Sequence, residues 1–312
     1  MRLKIAHIEN ENSAMNQTLF VAITLGLLLL AGCAAAPKSS TQSLADAPSH
    51  FIKLGTNQVH YVTAGRGNRT LVFIHGWSGN LGFWREQVPA FAGKARLILI
   101  DLPGHGQSDK PHTAYTMDFF AGAVLAVMRD VQVDKAALVG HGMGVAVICR
   151  LYQEAPEQVA ALVAVDGSMR RPKRTPEETE RFIAPFCAPD YRENTKHYIG
   201  MMFPGTEALR DQVLAEVLST PQFVMVGAMK GMYGDDQRDW DLKKVSIPVL
   251  VINSKNQMLS WSDEYKEYVR SLSPQTDYLL FEGASRYLML EKPAEFNAAL
   301  TKMLGKFDLI AK

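Results

Sequence analysis

The feature that most constrains this chain is a series of short apolar runs, each closed by a small, polar or acidic residue. Residues 71–74 end at His75-Gly76, 97–100 at Asp101, 136–139 at Gly140 and 161–165 at Asp166-Gly167. Two further runs cover 249–252 and 278–281. Runs apolar at every position suit strands covered on both faces, as a parallel sheet between helices requires. The stretches between them have helical period. Met117–Asp130 sets Phe120, Val124 and Val127 on one stripe, and Met143–Glu154 and 294–304 behave alike. The alternation predicts an α/β fold: a doubly wound, mostly parallel sheet with right-handed crossovers. Any site then belongs at the carboxyl ends of the strands. Residues 51–54 and 59–63 flank Gly55 as a leading hairpin.

About seventy residues separate the run ending at Asp166 from the run beginning at Val249. They read as an inserted helical cap over roughly 169–240, with Thr175-Pro176-Glu177-Glu178 as a capped helix start. Met201, Met202, Phe203, Phe223 and Met225 are its candidates to line a cavity.

Charge and cysteine usage narrow the function. Lysine and arginine number 33 against 32 acidic residues, so no field draws nucleic acid, and no long run of like charge follows the N-terminus. The cysteines are Cys33, Cys149 and Cys187, without metal-ligand spacing. Neither a metal nor a cofactor is expected. Cys149 and Cys187 read as small apolar core residues.

Arg2 and Lys4 precede an apolar run over 19–30 that is short for a membrane span and suits a signal-peptide core. It ends in Leu30-Ala31-Gly32-Cys33, which resembles the lipobox of bacterial lipoproteins. That resemblance implies a signal peptide over 1–32 and a lipidated Cys33. A flexible stalk over 33–50 and a globular domain over 51–312 follow. It also implies residence in the bacterial cell envelope, tethered to the bilayer, at the outer membrane facing the periplasm.

Four motifs carry the chemistry. The first is Phe73-Ile74-His75-Gly76-Trp77. The second is Asp101-Leu102-Pro103-Gly104-His105-Gly106-Gln107-Ser108-Asp109. The third is Gly140-His141-Gly142-Met143-Gly144, and the fourth runs from Gly283 through Arg286 to Glu291-Lys292-Pro293. Together they resemble the α/β-hydrolase superfamily, near its epoxide-hydrolase, haloalkane-dehalogenase and small-esterase members. The resemblance implies a nucleophile elbow at 140–144, where Gly142 stands at the nucleophile position. Arg286 stands at the position of the general base. The acid position falls to Asp166 or Gln257, and Asp166 equally suits a structural role. Backbone N–H donors of oxyanion type are implied at Trp77 and Met143, in a pocket with His75, Gly76 and His141.

Glycine cannot attack a substrate, and arginine stays protonated and cannot act as a base. The expectation is a catalytically silent hydrolase relative that binds a small apolar or anionic ligand. A plainer role for Arg286 is to pair with Asp166 and fill the old site. The runner-up is a weak or unconventional hydrolase of a small ester, epoxide or halide, using Ser78, Ser168, Ser260 or Ser285 beside His75 or His141.

Overall fold

The computed structural model describes residues 42–203, 207–234, 238–255 and 262–311, all within one unit, Thr41–Lys312. The predicted signal peptide, Cys33, Gln257 and Ser260 lie outside the described residues. Among the described residues no helix is long and apolar enough to cross a membrane.

Among the described residues eight strands form one sheet in the order β1-β2-β4-β3-β5-β6-β7-β8. They are β1 (Ser49–Leu54), β2 (Asn57–Gly65), β3 (Thr70–Ile74), β4 (Arg96–Ile100), β5 (Ala136–His141), β6 (Val159–Val165), β7 (Val249–Lys255) and β8 (Thr276–Glu282). The β1–β2 and β2–β4 pairs are antiparallel, and every later pair is parallel. Helix α1 (Met117–Asp130) follows β4 and α2 (Met143–Glu154) follows β5. Between β6 and β7 stand α3 (Pro176–Cys187), α4 (Tyr191–Gly200), α5 (Glu207–Leu218) and α6 (Gln222–Tyr233). Helices α7 (Asp263–Leu272) and α8 (Pro293–Lys306) close the chain.

The central runs are buried on both faces because alternate residues feed two cores. Val72 and Ile74 join one core with Phe120 and Val124 of α1. Leu71 and Phe73 join the other with Phe296 and Leu300 of α8. In α3 the expected capping box is present: Thr175 Oγ1 accepts from the Glu178 N–H at 3.2 Å, and Glu178 Oε2 accepts from the Thr175 N–H at 2.9 Å.

Three expectations need correction. The chain packs against the sheet before residue 51: Gln42 Oε1 accepts from the Gly65 N–H at 2.9 Å, and β1 begins at Ser49. Polar residues at those strand ends hid them from an apolar pattern. Cys187 is exposed, on the outer side of α3, whereas Cys149 is buried; both are free thiols. Of the proposed cavity residues, Met201 and Phe223 are exposed and Phe203 and Met225 are packed in core, which leaves Met202.

The turn from β5 into α2 lies hard against β3. A Cβ on Gly144 would stand 2.5 Å from the Ile74 carbonyl oxygen, with nothing flexible to yield. Gly144→Ala therefore lowers unfolding free energy by about 1–3 kcal/mol. Gly122 lies in α1 with open space around it, so Gly122→Ala raises stability by up to about 1 kcal/mol. Urea denaturation of the two variants checks both signs.

Candidate functional site

Gly142 occupies the bend between β5 and α2 with φ 54° and ψ −113°. Glycine holds this conformation freely, whereas a side chain there costs about 1–3 kcal/mol. Met143, the first residue of helix α2, lines a cavity at the strand ends beside Gly142. The Trp77 residue after β3 lines the same cavity. Among the described residues neither backbone N–H meets an acceptor. The Trp77 ring is fixed by its Nε1–H, which donates to the Met225 carbonyl at 2.9 Å.

Arg286 lies opposite, on the loop after β8. A Cβ on Gly142 would be 3.2 Å from Arg286 Nη2. The guanidinium thus fills the space that a side chain at 142 would enter. Its loop is held by the His141 Nε2–H, which donates to the Arg286 carbonyl oxygen at 3.0 Å. Burial, and then the nearby guanidinium, pushes His141 down to about 3, so the ring is neutral and its Nδ1 is left without a partner.

Asp166 follows β6 in the left-handed region, φ 44°. Its Oδ2 accepts from the Ser254 hydroxyl at 2.5 Å, and its Oδ1 has no hydrogen-bond partner. Burial pushes the carboxyl up to about 7, against the pull of Arg286 and Ser254. Burial also opposes the Arg286 charge, but Asp166 and three tyrosine rings outweigh it. The plain pairing of Arg286 with Asp166 is not found: the two interact through space without a salt bridge or hydrogen bond. No described acceptor bonds the Arg286 guanidinium.

Two connected hollows share Gly142, Met143, Tyr198 and Arg286 as walls. The larger holds about 180 Å³ and reaches out to Ser168, Phe182, Trp240 and Arg174. Arg174 also lacks a described acceptor and lies over the Phe182 and Tyr233 rings, 4.3 and 5.1 Å from their centroids. Edge-to-face contacts join Trp77, Phe186 and Tyr198 into one aromatic wall. No group of three metal-ligating side chains occurs among the described residues.

The sequence reading placed His75 in the pocket, and this is wrong. His75 is fully buried behind it: Nδ1–H donates to the Gly76 carbonyl at 2.8 Å, and Nε2 accepts from the Leu102 N–H at 3.0 Å. Ser78 and Ser285 are buried, and the Ser168 hydroxyl donates to the Arg170 carbonyl at 2.6 Å. None of these faces a histidine base. Arg174 was missed, although the sequence carries its signal in Arg170-Arg171-Pro172-Lys173-Arg174.

Residues 69–293 match the α/β-hydrolase fold family. The chain belongs to that family. Over 271 aligned residues it is 26% identical to the dihydrolipoyllysine-residue acetyltransferase component of an acetoin-cleaving system from Cupriavidus necator, covering 84% of this chain and 70% of that protein. A pimeloyl-[acyl-carrier protein] methyl ester esterase from Nitrosomonas europaea is 27% identical over 76% of this chain and 96% of its own length. The solved bromoperoxidase of Bacillus anthracis superposes with a TM-score of 0.73 at 21% identity, covering 83% of this chain and 99% of that one, and shows the shared fold.

The raised Asp166 gives a pH signature with a definite sign. The folded state keeps its proton up to about 7, whereas the unfolded carboxyl releases it near 3.8. This group's stabilisation is therefore complete below pH 3.8 and is lost as pH rises towards 7. Stability should fall by up to about 1.4 kcal/mol per pH unit in that window. Asp166→Asn should remove that slope. Urea unfolding across the window, wild type against variant, measures it.

Proposed function

We infer that this protein is a lipid-anchored, catalytically silent α/β-hydrolase relative that binds a small carboxylate in the old substrate cavity. The observation that carries this is the pair of guanidiniums, Arg286 and Arg174, lining one cavity with no described acceptor on either. A partly desolvated charge without a partner is costly, and a bound anion removes that cost. The Met143 N–H at the start of α2 lines the same cavity, and the Trp77 N–H lies in the adjoining hollow, so both add donors for an anion there. Aromatic walls and a volume of about 180 Å³ fit an arene-sized body, since about 150 Å³ accommodates benzene. Benzoate has this chemistry and serves as the probe.

Silence follows from Gly142, which has nothing to attack with, and from Arg286, which cannot take a proton. Loss of a whole triad removes about 10⁶ in turnover, leaving about 10³–10⁴ over water from the oxyanion donors and binding. The anchor rests on Leu30-Ala31-Gly32-Cys33 directly after the apolar run. By that reading the protein stands at the outer membrane, facing the periplasm.

Isothermal titration of the soluble domain with benzoate should show binding at submillimolar concentration, weakened about 10- to 100-fold in Arg286→Met, the worth of one charge-assisted hydrogen bond. Absence of heat at millimolar benzoate overturns the ligand reading. Gly142→Ser/Arg286→His should gain p-nitrophenyl ester hydrolysis at least about 100-fold over wild type. A wild-type rate within tenfold of it overturns the silent reading. In a lipoprotein-processing host, labelled palmitate should enter the wild-type chain and be absent from Cys33→Ala; equal labelling of both refutes the anchor.

A further inference from the structure

Away from the cavity, three antiparallel strands bring together a hydroxyl, an imidazole and a buried carboxylate. Ser49 Oγ on β1 lies 2.8 Å from His60 Nε2 on β2. His60 Nδ1 lies 2.7 Å from Asp101 Oδ2 at the end of β4. Asp101 also accepts the Gln107 N–H on Oδ2 at 2.9 Å and the Leu81 N–H on Oδ1 at 2.7 Å. Burial works against its ionisation, but these donors and His60 outweigh it and hold the carboxyl below its ordinary range. An ionised Asp101 accepts a hydrogen bond from Nδ1–H, which fixes the proton on that nitrogen. The Nε2 lone pair then faces the Ser49 hydroxyl, the tautomer a general base needs.

The ring is held in place from several sides. The His60 N–H donates to Ser108 Oγ at 2.8 Å, and that hydroxyl donates to the Asp101 carbonyl at 2.6 Å. Phe51 lies over the imidazole with centroids 4.9 Å apart. His60 and Asp101 are almost wholly buried, whereas Ser49 is exposed on the edge strand and Phe51 is half exposed. The Thr63 N–H donates to the Pro48 carbonyl, and Ser49 pairs with Val62. In that register Ser49 is a non-hydrogen-bonded position, so its N–H points off the sheet edge.

The geometry points to Ser49 as a nucleophile, activated by His60 and Asp101, at a second site that reacts with activated aryl esters and fluorophosphonates. Ser49 Oγ attacks the acyl carbon while its proton passes to His60 Nε2, and Asp101 stabilises the imidazolium. The bond to the aryl oxygen breaks, and His60 returns the proton to the departing aryloxide. Water repeats the sequence on the acyl-serine, releasing the acid and restoring the hydroxyl. Exposed Phe51 offers a face to the aryl group. Among the described residues the serine's own N–H is the oxyanion donor beside the hydroxyl, and each donor missing from a full oxyanion hole costs about 10²–10³ in rate. An activated aryloxide leaves far more readily than the serine alkoxide that deacylation must expel, so acylation outpaces deacylation and the site behaves as a slow acyl acceptor.

Labelling of the intact protein with a fluorophosphonate, followed by peptide mass spectrometry, tests this directly. Gly142 carries no hydroxyl, so the elbow offers no competing nucleophile. The expected result is an adduct on Ser49 that is absent from Ser49→Ala and forms at least about 10²-fold more slowly in His60→Gln. Because Ser49 is exposed, its alanine variant keeps the fold; circular dichroism checks His60→Gln. No adduct, an adduct on another serine, or an equal rate in a folded His60→Gln overturns the proposal. In those cases the hydrogen-bond chain is a clasp that fastens β1 to the Asp101 loop. Benzoate titration reads the cavity alone, and the p-nitrophenyl ester comparison run in a Ser49→Ala background reads the elbow alone, so failure of either reading leaves the other standing.

Discussion

The whole site depends on how closely the β5–α2 turn approaches β3. A Cβ on Gly140 would lie 2.4 Å from the Gly144 carbonyl oxygen, and one on Gly144 would strike the end of β3. With those two positions locked at backbone contact, the bend at Gly142 has little freedom. Its left-handed φ follows. The space left by the missing Cβ at 142 is where Arg286 lies. Glycine and arginine are therefore complementary: each position is shaped to the other, and a serine returned alone would crowd the guanidinium.

Electrostatics then decides what such a cavity can hold. Asp166 lies close enough to support the Arg286 charge but too far to bond it, and burial leaves the carboxyl near half-protonation around neutrality. It is therefore an incomplete counter-ion. A carboxylate entering the cavity would meet Arg286 as an attraction and an ionised Asp166 as a repulsion. Binding and protonation of Asp166 are consequently linked, each favouring the other. The neutral His141 adds no charge to this balance.

Much of this was legible in the chain. Helices Met117–Asp130 and Met143–Glu154 were bounded correctly because caps and period agree there: Thr116 Oγ1 accepts from the Phe119 N–H, and Gly142 marks where α2 starts. The family motifs located Gly142, Arg286, Trp77 and Met143 because each sits at a fixed offset within a strand-end loop. His75 was misplaced since a motif gives position along a loop but not the side to which a ring turns. Its Nε2 is held by Leu102, twenty-seven residues away. Arg174 is set by packing on Phe182 and Tyr233, and Ser49, His60 and Asp101 meet only through strand pairing. Contacts between distant segments leave no local signature, which is why these were missed.

One buried carboxylate connects the two regions. Asp101 Oδ1 holds the Leu81 N–H, four residues beyond Trp77, and its Oδ2 holds His60. The loop carrying the cavity's Trp77 donor and the sheet edge carrying Ser49 are thus fixed by the same group. Removing Asp101 would disturb both and separate neither. Ser49 and Arg286, by contrast, make no hydrogen bond to that carboxylate, and each can be changed alone. Asp101 therefore ties the two regions together structurally, and in the proposed second site it also supports the imidazole that Ser49 needs.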